Sequence, residues 1–147
     1  MENPIRLNHE QVLQILPHRP PMLMVDEITS CVPMERIEGT LYINPEWELF
    51  KGHFPRDPIF PGVLSVEAMA QTVNIMLMTA ERYAGKVPLF AAIDQVKFRR
   101  KILPGQTAVM RAEVIQERPE KAMITSKAAL YVDDVLAAEA LLTEAMR

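Results

Sequence analysis

Apolar and polar positions alternate with two different periods along this chain, and the change of period divides it. From Met22 to Cys31 and from Arg36 to Ile43 the period is two. Ile37, Gly39, Leu41 and Ile43 share one face of the second segment, which predicts a hairpin turning at Pro33. Upstream, Asn8 can cap a short helix running to about Leu16, with Gln11 in the capping-box position and Pro17 as the stop. The segment 44–61 carries Pro45, Pro55, Pro58 and Pro61. That is too many prolines for regular structure and too many for a floppy linker, so a rigid loop is expected.

From Gly62 to about Ala84 the chain is helical in length and composition, with Pro61 suited to the first position and Gly85 to the C-terminal cap. Its apolar side chains run nearly all round, as in a helix buried on most sides. A membrane span fits poorly, because Glu67, Gln71 and Asn74 would lie at lipid depth. At about 100° per residue these three project within about 60° of one another and form one polar stripe. Such a stripe requires a polar partner.

Period two then returns. Leu89 to about Leu103 reads as a strand closed by Pro104-Gly105. Ala108, Met110, Ala112 and Val114 face one way in the next strand, and Ile124, Ala128, Leu130 and Val132 follow after a turn at Pro119-Glu120. The tail from Val135 to Met146 is rich in Ala, Leu and Glu, which favours helix by propensity, whereas Asp133-Asp134 looks like a hairpin turn. It is read as a strand. The expected architecture is α+β: one domain over 1–147, an antiparallel sheet wrapped around one long central helix.

Composition narrows the function. The 147 residues are 49% hydrophobic and 24% charged, enough for one sizeable core. A net charge of -3 argues against a nucleic-acid binder. The single Cys31 excludes an intrachain disulfide framework and a Cys-based zinc site, which fits a reducing compartment. The first residues lack the basic start and apolar core of a signal peptide, so a cytoplasmic location is expected.

The candidate chemistry lies in Gly52-His53-Phe54-Pro55 and, fourteen positions on, in Glu67, the only charged residue between Gly62 and Ala80. An imidazole and a carboxyl sharing a dry site point to proton transfer. Apolar neighbours Val63, Val66, Met69 and Ala70 favour the neutral acid at Glu67, which could then donate a proton. Gly62, at the helix start, offers an exposed N–H to a developing oxyanion or simply permits the turn. Gln71, one turn beyond Glu67, can orient the carboxyl or make a polar contact between subunits.

Leu16-Pro17-His18-Arg19, Gly52-His53-Phe54-Pro55, Pro61-Gly62-Val63-Leu64, Glu67-Ala68-Met69-Ala70-Gln71 and Ile93-Asp94-Gln95-Val96-Lys97-Phe98-Arg99 occur in that order. In this ordered set the chain resembles the bacterial (3R)-hydroxyacyl-acyl-carrier-protein dehydratases of fatty-acid synthesis, from about Leu16 to the C-terminus. The resemblance implies the hotdog fold, a homodimer or a trimer of dimers, and an acyl carrier protein bearing a 3-hydroxyacyl thioester as partner. No cofactor, metal, nucleic acid or membrane is implied. It assigns His53 as base and Glu67 as acid, with Gly62, Gln71, Phe54 and Phe90 contacting substrate; His18 and Arg19 are read as structural. Lys97, Arg99, Arg100 and Lys101, the densest positive cluster, are the candidate docking patch for the acidic carrier. Arg56 stands where relatives commonly have glycine, as in a dehydratase-isomerase branch, but that branch has aspartate where Glu67 stands, which points away from isomerisation. Pro20 and Leu89 occupy positions that are often aromatic, the second associated with gating an acyl tunnel. A hotdog acyl thioesterase, a specialised-pathway dehydratase and a non-catalytic acyl-binding subunit are the alternative functions.

Overall fold

A computed structural model describes residues 3–147. A short strand β1 (Ile5–Leu7), not anticipated above, leads into helix α1 (His9–Ile15). The α1 start is the expected capping box: the Asn8 side chain accepts from Gln11 N at 2.9 Å, and Gln11 Oε1 accepts from Asn8 N at 2.8 Å. At its other end the Arg19 guanidinium donates to Leu13 O (2.9 Å) and Leu16 O (2.8 Å), satisfying carbonyls the helix leaves open. Arg19 is structural, as expected.

Strands β2 (Glu27–Val32) and β3 (Arg36–Tyr42) form the hairpin. Pro33 and Met34 make its turn, with Met34 at φ 62° and Glu35 N donating to Val32 O at 2.9 Å. β2 begins five residues later than its alternation suggested. The reason is a tertiary contact: Met22 O and Met24 N are bonded by the Gln71 amide rather than by a neighbouring strand.

Helix α2 (Gly62–Met78) is the central helix, and between Ser65 and Leu77 every residue except Glu67 is buried. It stops at Thr79, short of the expected Ala84. The Thr79 hydroxyl donates back to Met76 O at 3.0 Å, and the chain continues through a 3-10 turn at Glu81–Tyr83. Glu117 holds that turn, accepting from Arg82 at 2.7 and 3.0 Å and from the Tyr83 hydroxyl at 2.6 Å. Gly85, at φ 77°, lies beyond it rather than at the helix cap.

Strands β4 (Pro88–Phe98), β5 (Thr107–Arg118), β6 (Met123–Val132) and β7 (Val135–Met146) complete one antiparallel sheet in the order β1-β2-β3-β5-β6-β7-β4. β4 ends at Phe98 rather than near Leu103, because Arg99 N and Arg100 N both turn to Ala137 O, at 2.7 and 3.2 Å. The tail is a strand despite its helical composition. β6 and β4 pair it on both sides, and Asp133 and Asp134, both at positive φ, form the two-residue turn before it. The inner face of the sheet, including Leu41, Met110, Leu130 and Leu142, closes over α2. β4 is an edge strand whose Leu89, Phe90, Ile93 and Phe98 are all exposed.

Candidate active site

The loop before α2 is built around its own backbone. A 3-10 turn at Glu48–Lys51 buries Phe50 beside Trp47, His53 N donates to Leu49 O at 3.0 Å, and Ile59 N donates to His53 O at 3.0 Å. These bonds fix the His53 backbone, and the side chain is fixed in turn: Nδ1 lies 2.8 Å from Ile59 O. A carbonyl oxygen can only accept, so Nδ1 carries the hydrogen of the neutral ring and Nε2 is left with its lone pair free. Phe54 stacks on the imidazole at 4.1 Å between centroids and remains half exposed.

Glu67 projects from the second turn of α2. Gln71, one turn on and fully buried, donates to Glu67 Oε2 at 2.5 Å and to Met22 O at 2.8 Å, while its Oε1 accepts from Met24 N at 2.7 Å. Every polar group of this amide is committed, so its rotamer is locked and the bond to Glu67 is directional. The contact that an orienting role for Gln71 would need is thus made within one chain. His18, read above as structural, presents Nε2 to Glu67 Oε2 at 3.8 Å, and its Nδ1 is buried without a hydrogen-bond partner.

The stripe ends at a residue the sequence reading passed over. Glu144 on β7 is 2% exposed. With its amide nitrogen turned towards the acceptors around it, Asn74 donates to Ala70 O at 3.0 Å, to Glu144 Oε1 at 2.8 Å and to Glu144 Oε2. Burial and, secondarily, the nearby Glu67 charge push the Glu144 carboxyl up to about 8. The signal was available: Glu144 is in phase with Ala140 and Leu142 on the inward face of β7, where an acidic residue is out of pattern.

At the start of α2, Leu64 N and Ser65 N donate to Pro61 O, and helix geometry leaves Gly62 N and Val63 N without intrahelical partners. A Cβ at Gly62 would lie only 3.0–3.2 Å from Phe98 ring atoms, so glycine here allows the ring to cover the helix start. Phe98, Arg99, Arg100, Lys101, Gly62 and Val63 border one groove. Lys97 and these three basic residues are all exposed, but Arg99 is paired with Glu139 at 3.0 Å. Phe90 lies on the β4 edge directly opposite Glu144 in the β4–β7 register.

A model for the FabA-like domain matches residues 16–141. The chain belongs to the FabA-like family. Among curated members of this group it is 40% identical to a 3-hydroxyacyl-[acyl-carrier-protein] dehydratase FabZ of Symbiobacterium thermophilum over 134 residues, 91% of this chain and 93% of that one. Identity to the FabZ dehydratase of Polynucleobacter asymbioticus is 37% over 147 residues, 100% of this chain and 97% of the relative. Of solved structures, the dehydratase heterocomplex ApeI:P from Xenorhabdus doucetiae aligns with TM-score 0.76 at 13% identity, over 92% of this chain and 90% of that one. A mutant thioesterase from Pseudomonas aeruginosa aligns at 0.69 and 12%, over 95% and 93%. These two likenesses carry the fold alone, which is the hotdog fold that the FabA-like family implies. Among the described residues, no hydrogen bond or ion pair joins His53 to Glu67: the former is tied to Ile59, the latter to Gln71 and His18. No helix of the described residues is long and apolar enough to cross a membrane.

Proposed function

We propose that this chain dehydrates (3R)-3-hydroxyacyl groups, carried as thioesters on acyl carrier protein, to trans-2-enoyl groups in fatty-acid synthesis, as one domain over 1–147 in the cytoplasm. The observation that carries the reading is His53, whose Nδ1 donates to Ile59 O and whose Nε2 is free to accept a proton, in a chain 40% identical to a named 3-hydroxyacyl-carrier dehydratase. His53 Nε2 takes the C2 proton. The C2 electron pair forms the C2–C3 double bond as the C3–O bond breaks, and Glu67 gives its proton to the departing hydroxyl, which leaves as water. The substrate loses one proton and one hydroxide, and the enzyme regains its starting state when the proton on His53 is passed back to Glu67. Gln71 aims the Glu67 carboxyl. Gly62 N–H faces the thioester oxygen as it gains negative charge, and Phe54 and Phe90 contact the acyl group.

As the resemblance to the bacterial dehydratases implies, each site takes His53 from one subunit and Glu67 from another. The exposed apolar β4 edge supports this arrangement, because unpaired edges are normally covered. The basic groove at the α2 start suits an acidic carrier, with Arg100 and Lys101 beside the substrate-facing Gly62. Turnover of short and long 3-hydroxyacyl-carrier substrates, followed as enoyl absorbance, tests the reading and its chain-length range. No enoyl product from any chain length would refute it.

A further inference from the structure

The polar stripe of α2 reaches further than the two groups the reaction requires. Glu67, Gln71 and Asn74 follow one another at four- and three-residue spacing, and the stripe ends against Glu144, a second carboxyl sealed between helix and sheet. A buried glutamate is ordinarily held by a cation. Here the partner is neutral: of the two amide hydrogens of Asn74, one goes to Ala70 O and the other is shared by the two carboxyl oxygens. Among the described residues, the influences on this carboxyl are burial and the Glu67 carboxyl, with no cation beside them. On β4 the opposite residue is Phe90 and on β6 it is Ile124, while the diagonal β6 neighbour Ser126 is fully buried with an unpartnered hydroxyl. From α2 the charged group in electrostatic reach is Glu67, beyond which lies His18.

Two carboxyls in one poorly solvated region cannot both be ionised at low cost. Glu67 has to become negative when it gives its proton to the departing hydroxyl. That step is easiest when the group behind it is neutral and polar. We propose that Glu144 is a positioning residue for the site: its carboxylic acid, clamped by Asn74, keeps a neutral polar group behind Glu67 and so lets Glu67 carry negative charge as it acts as the acid. The proposal rests on the dehydratase reading of Glu67.

Glu144 is protonated at neutral pH and ionises at about 8. Ionisation places a negative charge behind Glu67 and makes it a poorer acid. Turnover therefore falls on the alkaline side as Glu144 loses its proton, and a neutral isostere removes that fall.

The experiment is kcat against pH for the full-length wild type and Glu144→Gln, with Glu67→Gln as reference. In the wild type kcat should drop about tenfold between about pH 7 and about pH 9, following the protonated fraction of Glu144. In Glu144→Gln the ratio of the two rates should approach one. Superimposable profiles would overturn the inference, provided Glu67→Gln is inactive. If Glu67→Gln instead turns over at the wild-type rate, it is the dehydratase reading of Glu67 that fails. A second measurement, free of activity and of the Glu144→Gln fold, is the carboxyl carbon resonance of Glu144 followed by NMR against pH. Its midpoint should move down in Glu67→Gln, where Glu144 no longer shares the region with a second carboxyl, and an unmoved midpoint would overturn the coupling.

Discussion

Gln71 donates to Glu67 Oε2 at 2.5 Å while its other amide groups are spent on Met22 O and Met24 N. One side chain thus both fixes the carboxyl and replaces the sheet partner that the 22–24 segment lacks. Gln71→Leu keeps the volume but strands a buried N–H and a buried carbonyl, so a loss of about 2–4 kcal/mol in urea denaturation is expected. Turnover should fall with little change in KM, because the acid is present but misaimed. A stable variant with unaltered kcat would remove Gln71 from the site.

His53→Ala takes away the free Nε2 and leaves the loop's backbone bonds, His53 N to Leu49 O and Ile59 N to His53 O, in place. The protein should therefore remain folded while turnover drops by about two to four decades. Circular dichroism and enoyl absorbance on the same sample check both halves.

Much of this was legible from residue types. The capping box at Asn8, the turns at Pro33 and Asp133-Asp134, the buried helix and its polar stripe follow from local rules that the surrounding structure does not override. The misplaced boundaries have non-local causes. The β2 start depends on Gln71, more than forty residues away in sequence, and the α2 end depends on Glu117 reaching back to Arg82 and Tyr83. Glu144 was overlooked because the tail was weighed by composition, whereas its inward phase becomes decisive only once β7 is known to lie between β6 and β4. The proximity of His18 to Glu67 depends on chain packing that no local pattern encodes.

Glu144 also makes stability depend on pH. Its folded-state value is raised from 4.5 to about 8, so its contribution is fully present below the lower value and is lost as pH rises towards the upper one. Between about pH 6 and about pH 8 the wild type should lose up to ~1.4 kcal/mol per pH unit from this group, a slope absent in Glu144→Gln. Equal slopes in the two proteins, from denaturation at several pH values, would show that Glu144 is not buried as described.

Charge reversal separates docking from chemistry. Arg99 is engaged by Glu139, so the variants of choice are Lys97→Glu, Arg100→Glu and Lys101→Glu. Each should raise the apparent KM for carrier-linked substrate and weaken its salt dependence, while sparing a small thioester without the protein. Equal losses on both substrates would locate the damage in the site.

The composite site is tested most directly by enoyl formation in mixed assemblies of His53→Ala and Glu67→Gln subunits. Each variant alone should be nearly inactive. With random pairing in a one-to-one mixture, half of the dimers are mixed and half of their sites carry both groups, so recovery of about a quarter of wild-type activity is predicted. No recovery in demonstrably mixed dimers, or near-normal activity in either variant alone, would contradict the account.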